Sequence, residues 1–489
     1  MRLRLIGHDY KYAVEQIMLT LFPGELPVYD GGDGRLSACV RLSSGPVFTT
    51  ASTVIHEDGV RRRASARVRT DALTGARERD RKLQAIIKRS FYKAAAAGGR
   101  GSAWGALTGI RPAKTAESML KRGLSERAAA SALTSGFYVS PERAALCAET
   151  ARRSLDAAAS LGERDAALYI GIPFCPTRCA YCSFVSNSVE KSAGLIEPFL
   201  DALKSEIAAA ADIAGKLGLR LRSVYVGGGT PTTLTASALD SLLGSLRGSF
   251  DMSLLREYTV EAGRPDTITR EKLRVMRARG VTRVSVNPQS MSDSVLETIG
   301  RRHTADDVAA AVADVRNEGF ESLNMDVIAG LPSDTPAGFA GTLERVLAMR
   351  PENITVHTLS LKKGSRITLE GGAGIPDGAA VSRMLGGASE RLRGAGYAPY
   401  YLYRQKYTSG GFENVGWSRP GYESAYNVYM MEELCTVLAC GGGGVTKLVD
   451  PASGRIERIF NPKYPREYIE RIGGIIEKKS RIYDFYSGK

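Results

Sequence analysis

Between about Asp165 and Gly364, six short apolar segments, AALYIGI, SVYVGGG, EYTVEAG, RVSVNPQ, SLNMDVIAG and ITVHTLSL, alternate with amphipathic helical stretches. Segments this apolar belong in a sheet covered on both faces, so each predicts a strand of a parallel sheet with helices packed over it. Six strand–helix repeats predict a barrel-like α/β core. Parallel barrels place their chemistry at the carboxyl ends of the strands, and that is where the unusual residues of this chain fall.

The flanking sequence has a different texture. Residues 1–160 begin with a strand-like RLRLI, a helical stretch near Tyr12–Leu21, and alternating runs around Arg35–Leu42, Val47–His56 and Val60–Arg69 separated by turn residues. From Arg81 the pattern turns helical, is broken by GGRGSAWGALTGIRP, and resumes near Ala113–Arg122, Ser125–Thr134 and Pro141–Ala159. The expected organisation is an N-terminal basic α+β and helical domain (1–160), a barrel (161–365) and a mixed C-terminal segment (366–489) rich in Tyr and Gly over the barrel mouth. A chain of 489 residues is long enough for such an arrangement and for a core that encloses a cofactor.

Composition excludes several classes. Hydrophobic residues make up 43% and charged residues 24%, as in ordinary globular proteins. No apolar run reaches the length of a membrane span, and the opening MRLRLIGHDYKYAVEQ is too polar for a signal peptide, so a cytoplasmic setting is expected. The net charge is +14, and residues 1–165 carry 27 Lys and Arg against 17 Asp and Glu. Such a balance suits an acidic partner. The cluster Arg61, Arg62, Arg63, Arg67 and Arg69 alternates in part with small residues, which favours a solvated strand face over a nucleic-acid surface. A tetra-anionic small substrate is a second reason for a positive field.

Directly after the first barrel strand stand Cys175, Cys179 and Cys182, in the run Tyr169-Ile-Gly-Ile-Pro-Phe-Cys-Pro-Thr-Arg-Cys-Ala-Tyr-Cys. A zinc site would pair two close-spaced ligand couples, and no second couple of Cys or His lies near. Seven cysteines in a chain with no expected leader do not make a disulfide framework. Three thiolates at CxxxCxxC spacing suit an iron–sulfur cluster. Cys39, Cys147, Cys435 and Cys440 read as ordinary thiols.

The run CxxxCxxC after a strand resembles the radical S-adenosylmethionine (SAM) superfamily, in which three thiolates leave one iron of a [4Fe–4S] cluster open to SAM. The wider string YxGIPFCxxxCxYCSF resembles the oxygen-independent coproporphyrinogen III oxidase family, and Leu107-Thr-Gly-Ile-Arg-Pro112 its HemZ-type branch. The resemblance covers essentially the whole chain and implies a partial (β/α)6 barrel. It implies that Gly228, Gly229 and Thr230, in Gly227-Gly-Gly-Thr-Pro-Thr232, contact the amino end of SAM. Tyr169 and Tyr181 are counted with the cofactor contacts, as is Glu261, placed to bind the ribose diol. Val445, in Cys440-Gly-Gly-Gly-Gly-Val-Thr-Lys447, corresponds to a lining residue of the adenosine pocket. Gln289, Arg301 and Asp326 correspond to residues that hold a second SAM and serve catalysis. An aspartate inside an apolar strand is costly to bury without partners, which independently favours a role for Asp326.

The implied activity is oxidative decarboxylation of coproporphyrinogen III propionates to vinyl groups, giving protoporphyrinogen IX in haem biosynthesis. One or two SAM molecules would serve as cofactor and a flavodoxin or ferredoxin as low-potential electron donor. Departures from the oxidase pattern are Gly171 for a histidine, Phe184 for a fourth cysteine, Tyr181 for a phenylalanine and Ser360 for an alanine. The C-S-F ending also occurs in haem-chaperone relatives, so haem binding stays open as a second reading and radical SAM methyl transfer to a tetrapyrrole as a third. Tyr401–Lys406, Glu413–Trp417, Tyr426 and Asn427 read equally as a macrocycle surface or as packing. His303 and His357 read as structural.

Overall fold

The computed structural model describes residues 1–30, 35–182, 187–362, 364–369, 371–405 and 411–487, and divides into two compact units. Phe184 and Lys406 lie outside the described residues. The first unit is Met1–Arg152 with Arg404, Gln405, Gly411 and Phe412, and the second takes in the rest from Arg153.

In the first unit, strands Arg2–Ile6, Leu36–Ser44, Phe48–Glu57 and Val60–Arg69 form one sheet in that order. The first pair is parallel and the others antiparallel. Every second strand residue turns inward, among them Leu3, Ala38, Val40, Ala51 and Ile55. These pack against Val14, Ile17 and Met18 of helix Lys11–Leu21 and Ile87 and Phe91 of helix Ala76–Ala96. Both helices therefore cover the same face of the sheet. A period of two on the strands meets a period of 3.6 on the helices, which is why the alternation was legible.

In the second unit the six apolar segments become β1 (Asp165–Ile172), β2 (Arg220–Gly228), β3 (Glu257–Glu261), β4 (Arg283–Ser285), β5 (Ser322–Ala329) and β6 (Asn353–Thr358). Each runs parallel to the next. Helices Ile196–Lys216, Ala236–Ser249, Arg270–Ala278, Ala305–Asn317 and Pro336–Ala348 make the crossovers. Four of them begin at a threonine, Thr235, Thr269, Thr304 and Thr335, whose side chain accepts from a backbone N–H of the first turn. Later residues extend the array with β7 (Ala398–Arg404), β8 (Glu413–Ser418), β9 (Thr436–Gly441), β10 (Val445–Asp450) and β11 (Arg455–Phe460). The sheet order is β7-β8-β6-β5-β4-β3-β2-β1-β9-β10-β11. β8 runs antiparallel to β6 and β9 parallel to β1, so the six central strands form a partial barrel with added strands at both ends.

The inner side of these strands is polar and aromatic. Tyr169 of β1, Tyr225 of β2 and Thr259 of β3 share one register level. Helix Ala425–Glu432 closes the amino ends: the Ser424 hydroxyl and Ala425 N–H donate to Glu257 at 2.9 and 2.7 Å, and Tyr426 stacks on Tyr225 with centroids 4.5 Å apart. Tyr400, Tyr401 and Tyr426 are buried in this packing, and Trp417 is buried beneath Arg393.

One buried cluster ties the C-terminal chain to the barrel. Glu206, fully buried on helix Ile196–Lys216, accepts from the Gly441 N–H at 2.7 Å, Asn461 Nδ2 at 2.8 Å and the Tyr468 hydroxyl, and pairs with Lys479 at 2.9 Å. A carboxylate can be buried here because each partner stabilises its charge. Glu206→Ala leaves the Lys479 ammonium buried and unpaired. It should destabilise the second unit by about 3–5 kcal/mol, seen as an earlier urea transition, whereas the doubly substituted Glu206→Met/Lys479→Met should recover most of that loss.

Candidate functional site

The three predicted cysteines lie on the loop that leaves β1. Phe174–Cys175 pairs with Asn187–Ser188, the Cys182 N–H donates to the Cys179 carbonyl at 3.1 Å, and the Ala180 N–H reaches the Ile299 carbonyl at 2.9 Å. Cys179 is buried and Cys175 and Cys182 half-buried. The Cys175 Sγ is 3.5 Å from the Thr230 hydroxyl, which brings the glycine-rich motif to the cysteine loop. Arg264, buried just past β3, donates to Cys179 Sγ at 3.5 Å and to the Thr177 hydroxyl at 3.1 Å while its other edge pairs with Asp266.

Glycines make this approach feasible. Gly228 has φ +112° and a Cβ there would stand 3.0 Å from the Ile172 backbone; a Cβ on Gly229 would stand 2.4 Å from the Phe174 carbonyl oxygen. The Gly229 and Thr230 N–H groups instead donate to the Ile172 and Phe174 carbonyls, each at 2.7 Å. The later glycine-rich segment arrives the same way: a Cβ on Gly441 would meet Gly171 O at 2.2 Å, and one on Gly171 would meet Gly442 O at 2.7 Å. This explains Gly171, since this backbone leaves no room there for the histidine of the oxidase pattern. Val445, half-buried, opens β10 directly after that loop.

Beside the loop is a polar group drawn from the segments that follow β4 and from β5. Arg301 is buried; its Nη1 donates to the Gly263 and Asn287 carbonyls at 3.2 and 2.9 Å and its Nη2 to the Tyr181 hydroxyl at 3.0 Å. Its guanidinium is therefore not part of a surface ion pair. Gln289 sits at φ +66°, tied by its N–H to the Asp326 carbonyl at 2.9 Å and by its own carbonyl to the Ile328 N–H at 2.9 Å. The buried Gln289 Oε1 and Arg301 Nε have no hydrogen-bond partner among the described residues. Asp326 accepts from Asn324 Nδ2 at 2.8 Å and lies 3.7 Å from His357 Nε2.

Two carboxyls here are pushed apart. Burial raises Glu261, and Asp326 adds to that against the Tyr225 hydroxyl that donates to it; the result is about 7. Burial also acts to raise Asp326, but His357, Asn324 and Thr355 outweigh it and hold the carboxyl below its usual range. One group is thus ionised and its neighbour poised at neutrality, the arrangement by which a site separates acid from base roles. Burial, Arg301 and Arg264 push His303 down to about 4, so this ring is neutral. Tyr169 stacks at 6.3 Å on both Tyr225 and Tyr426, a wall of rings below Glu261.

The parallel strand order and the three-thiolate loop define a radical SAM protein, and the radical SAM superfamily model matches residues 169–346. The oxygen-independent coproporphyrinogen-III oxidase-like protein HemZ of Bacillus subtilis is 40% identical over 388 residues, which cover 78% of this chain and 77% of that protein. The heme chaperone HemW of Mycobacterium tuberculosis is 30% identical over 314 residues, 63% of this chain and 74% of the relative. The solved coproporphyrinogen III oxidase (HemN) of Escherichia coli, a radical SAM enzyme, aligns with TM-score 0.52 and 24% identity over 65% of this chain and 72% of that one, which shows the shared fold. The chain belongs to the radical SAM family of oxygen-independent coproporphyrinogen III oxidase-like proteins, in its HemZ-type branch.

This family uses a [4Fe–4S] cluster and SAM. The residues present fit those groups. Among the described residues no three His, Cys, Asp or Glu side chains converge as a single metal ion requires. Cluster thiolates each take a separate iron and stand wider apart, and an all-thiolate donor set is what iron–sulfur clusters use. Unmet polar atoms beside the loop suit a polar cofactor.

Arg264, Tyr225, Asn324 and His357 were not singled out from sequence as site residues. Arg264 carried a signal, a cation three residues past Glu261 at a strand's carboxyl end; Tyr225, two residues before the glycines, reads as ordinary core. Arg264→Ala removes the cation on Cys179. It should speed loss of cluster iron to a chelator by about 10–100-fold, the usual cost of removing an outer partner of a metal ligand, with Arg264→Lys in between, read as iron release at constant pH.

Proposed function

We propose that this chain converts coproporphyrinogen III to protoporphyrinogen IX by oxidative decarboxylation of two propionates to vinyl groups. The observation that carries this reading is the buried polar group beside the cysteine loop, where Gln289 Oε1 and Arg301 Nε are unmet. Buried orphan atoms are costly, and a bound polar ligand would satisfy them. In this reading Cys175, Cys179 and Cys182 hold the cluster. Tyr169, Tyr181, the Gly228–Thr230 turn, Glu261 and Val445 hold the first SAM, while Gln289, Arg301 and Asp326 hold a second. When bound, cluster and SAM would supply the radical chemistry that removes a β-hydrogen atom from a propionate, and loss of carbon dioxide would then require an external one-electron oxidant to take up the remaining electron.

The chain's residues have narrower tasks. Asp326 keeps a fixed negative charge facing the site, and Arg301 a positive one that ties Tyr181 to the ends of β3 and β4. Glu261 accepts the ribose hydroxyls once ionised. The Tyr169, Tyr225 and Tyr426 rings exclude water from below. A flavodoxin or ferredoxin in the reducing cytoplasm suits as electron donor.

The relation to HemW favours a second reading, stoichiometric haem binding without turnover. An anaerobic assay of cluster-reconstituted protein with SAM, reductant and coproporphyrinogen III separates the readings by mass spectrometry. Loss of carbon dioxide in step with methionine and 5′-deoxyadenosine supports the dehydrogenase. SAM cleavage without change in the porphyrin sinks it, tight haem binding then supports the second reading, and S-adenosylhomocysteine among the products indicates methyl transfer.

Asp326→Ala should leave the cluster absorption spectrum intact yet reduce turnover by at least about 100-fold, as expected when a preorganised charge is removed from a site. Unchanged turnover would remove the second-SAM assignment. Only the ionised Glu261 can accept from both ribose hydroxyls through its two oxygens, so SAM affinity should rise with pH. A group titrating near 7 gives about a tenfold gain from pH 6 to pH 8, measured by equilibrium binding, and Glu261→Gln should bind weakly with that gain abolished.

A further inference from the structure

Against the expectation from sequence that these arginines only solvate a strand face, we propose that the uncovered face of the first unit's sheet binds single-stranded nucleic acid through an array of arginines that has no acidic counterpart. Helices cover one face of this sheet. On the other, Arg2 and Arg4, Arg41, and Arg61, Arg63 and Arg67 all point outward and are exposed. The register sets them in rows: Arg2 beside Ser37, His56 and Arg61, and Arg4 beside Cys39, Val54 and Arg63.

The outward positions of all four strands hold no Asp or Glu. Glu57 faces the covered side, where it pairs with Arg62 at 2.9 Å and Arg100 at 2.6 Å. At the margin Asp71 pairs with Arg69. Among the described residues, none of the six arginines lies within ion-pair distance of a carboxylate; Arg67 instead covers the Phe48 ring at 4.3 Å. A face that needs only to be soluble mixes charge of both signs, because like charges repel. Here one sign is set along a strand at intervals of about 6.8 Å.

The intervening groups favour a nucleic acid over another polyanion. Thr50, Ser52 and Ser65 offer hydroxyls for phosphate oxygens, while Phe48, Val54 and Ile6 offer surfaces for bases. Four strands span about 14 Å, too broad for the roughly 12 Å major groove of a duplex, whereas a single strand can lie across an open sheet.

The test is fluorescence anisotropy of full-length protein with a fluorescein-labelled 20-nucleotide oligouridylate. Binding is expected at micromolar or lower protein at about 50 mM salt, weakening as salt rises with a log–log slope of about −0.7 per neutralised phosphate. Arg61→Ser/Arg63→Ser/Arg67→Ser should weaken binding at least about tenfold and reduce the slope's magnitude by about 2. An independent set, Arg2→Ser/Arg4→Ser/Arg41→Ser, should act likewise, so a failure of either to fold leaves the other decisive. No binding at low salt, or binding that neither set alters, overturns the proposal. So does preferential capture, by the same arginines, of a flavodoxin or of phosphatidylserine vesicles that the oligonucleotide does not displace.

Discussion

The site depends on backbone meeting backbone at the carboxyl ends of β1, β2 and β9. Gly171, Gly228, Gly229 and Gly441 each stand where a Cβ would come within about van der Waals collision distance of another main chain. Their lack of side chains lets the cysteine loop, the first glycine-rich turn and the late glycine-rich loop occupy one place. Direct N–H to carbonyl bonds from Gly229 and Thr230 then fix the spacing, so that Thr230 reaches Cys175. A single methyl group at any of these points would force the loops apart and with them the elements that flank the thiolates.

Around that junction, charge is arranged by partners more than by burial alone. Arg264 and Arg301 bridge the cysteine loop to the ends of β3 and β4, one through Cys179 and Thr177, the other through Tyr181. Asp326 and Glu261 are both half-buried, yet His357 and Asn324 hold the first below its usual range while the second is raised toward neutrality. The same low-polarity setting has opposite outcomes because the hydrogen-bond partners differ.

The C-terminal chain is structural support as much as a separate segment. β9 continues the sheet beside β1, and the Glu206 cluster holds Gly441 through its N–H and Lys479 through its ammonium. Helix Ala425–Glu432 packs at the amino ends, bonded to Glu257 and stacked through Tyr426 on Tyr225. The aromatic residues that read equally as macrocycle surface or as packing, Tyr401, Trp417 and Tyr426, are buried, which is the packing outcome.

Sequence alone determined the strands, because six apolar segments had to be covered on both faces, and it pointed to the thiolate loop, because three close-spaced cysteines suit an iron–sulfur cluster and the run resembles the radical SAM motif. It could not determine which polar groups meet across strands: Arg264 with Cys179, Tyr225 with Glu261 and His357 with Asp326 are long-range contacts that local pattern does not encode. Nor could it show why position 171 is glycine, since the reason lies in a loop some 270 residues away in sequence, carried there by β9. For the arginines of the first unit, sequence supplied the charge and tertiary structure decided that the acidic residues lie elsewhere. Strand alternation sorts side chains to one face or the other, and only the placement of the helices says which face is left to solvent.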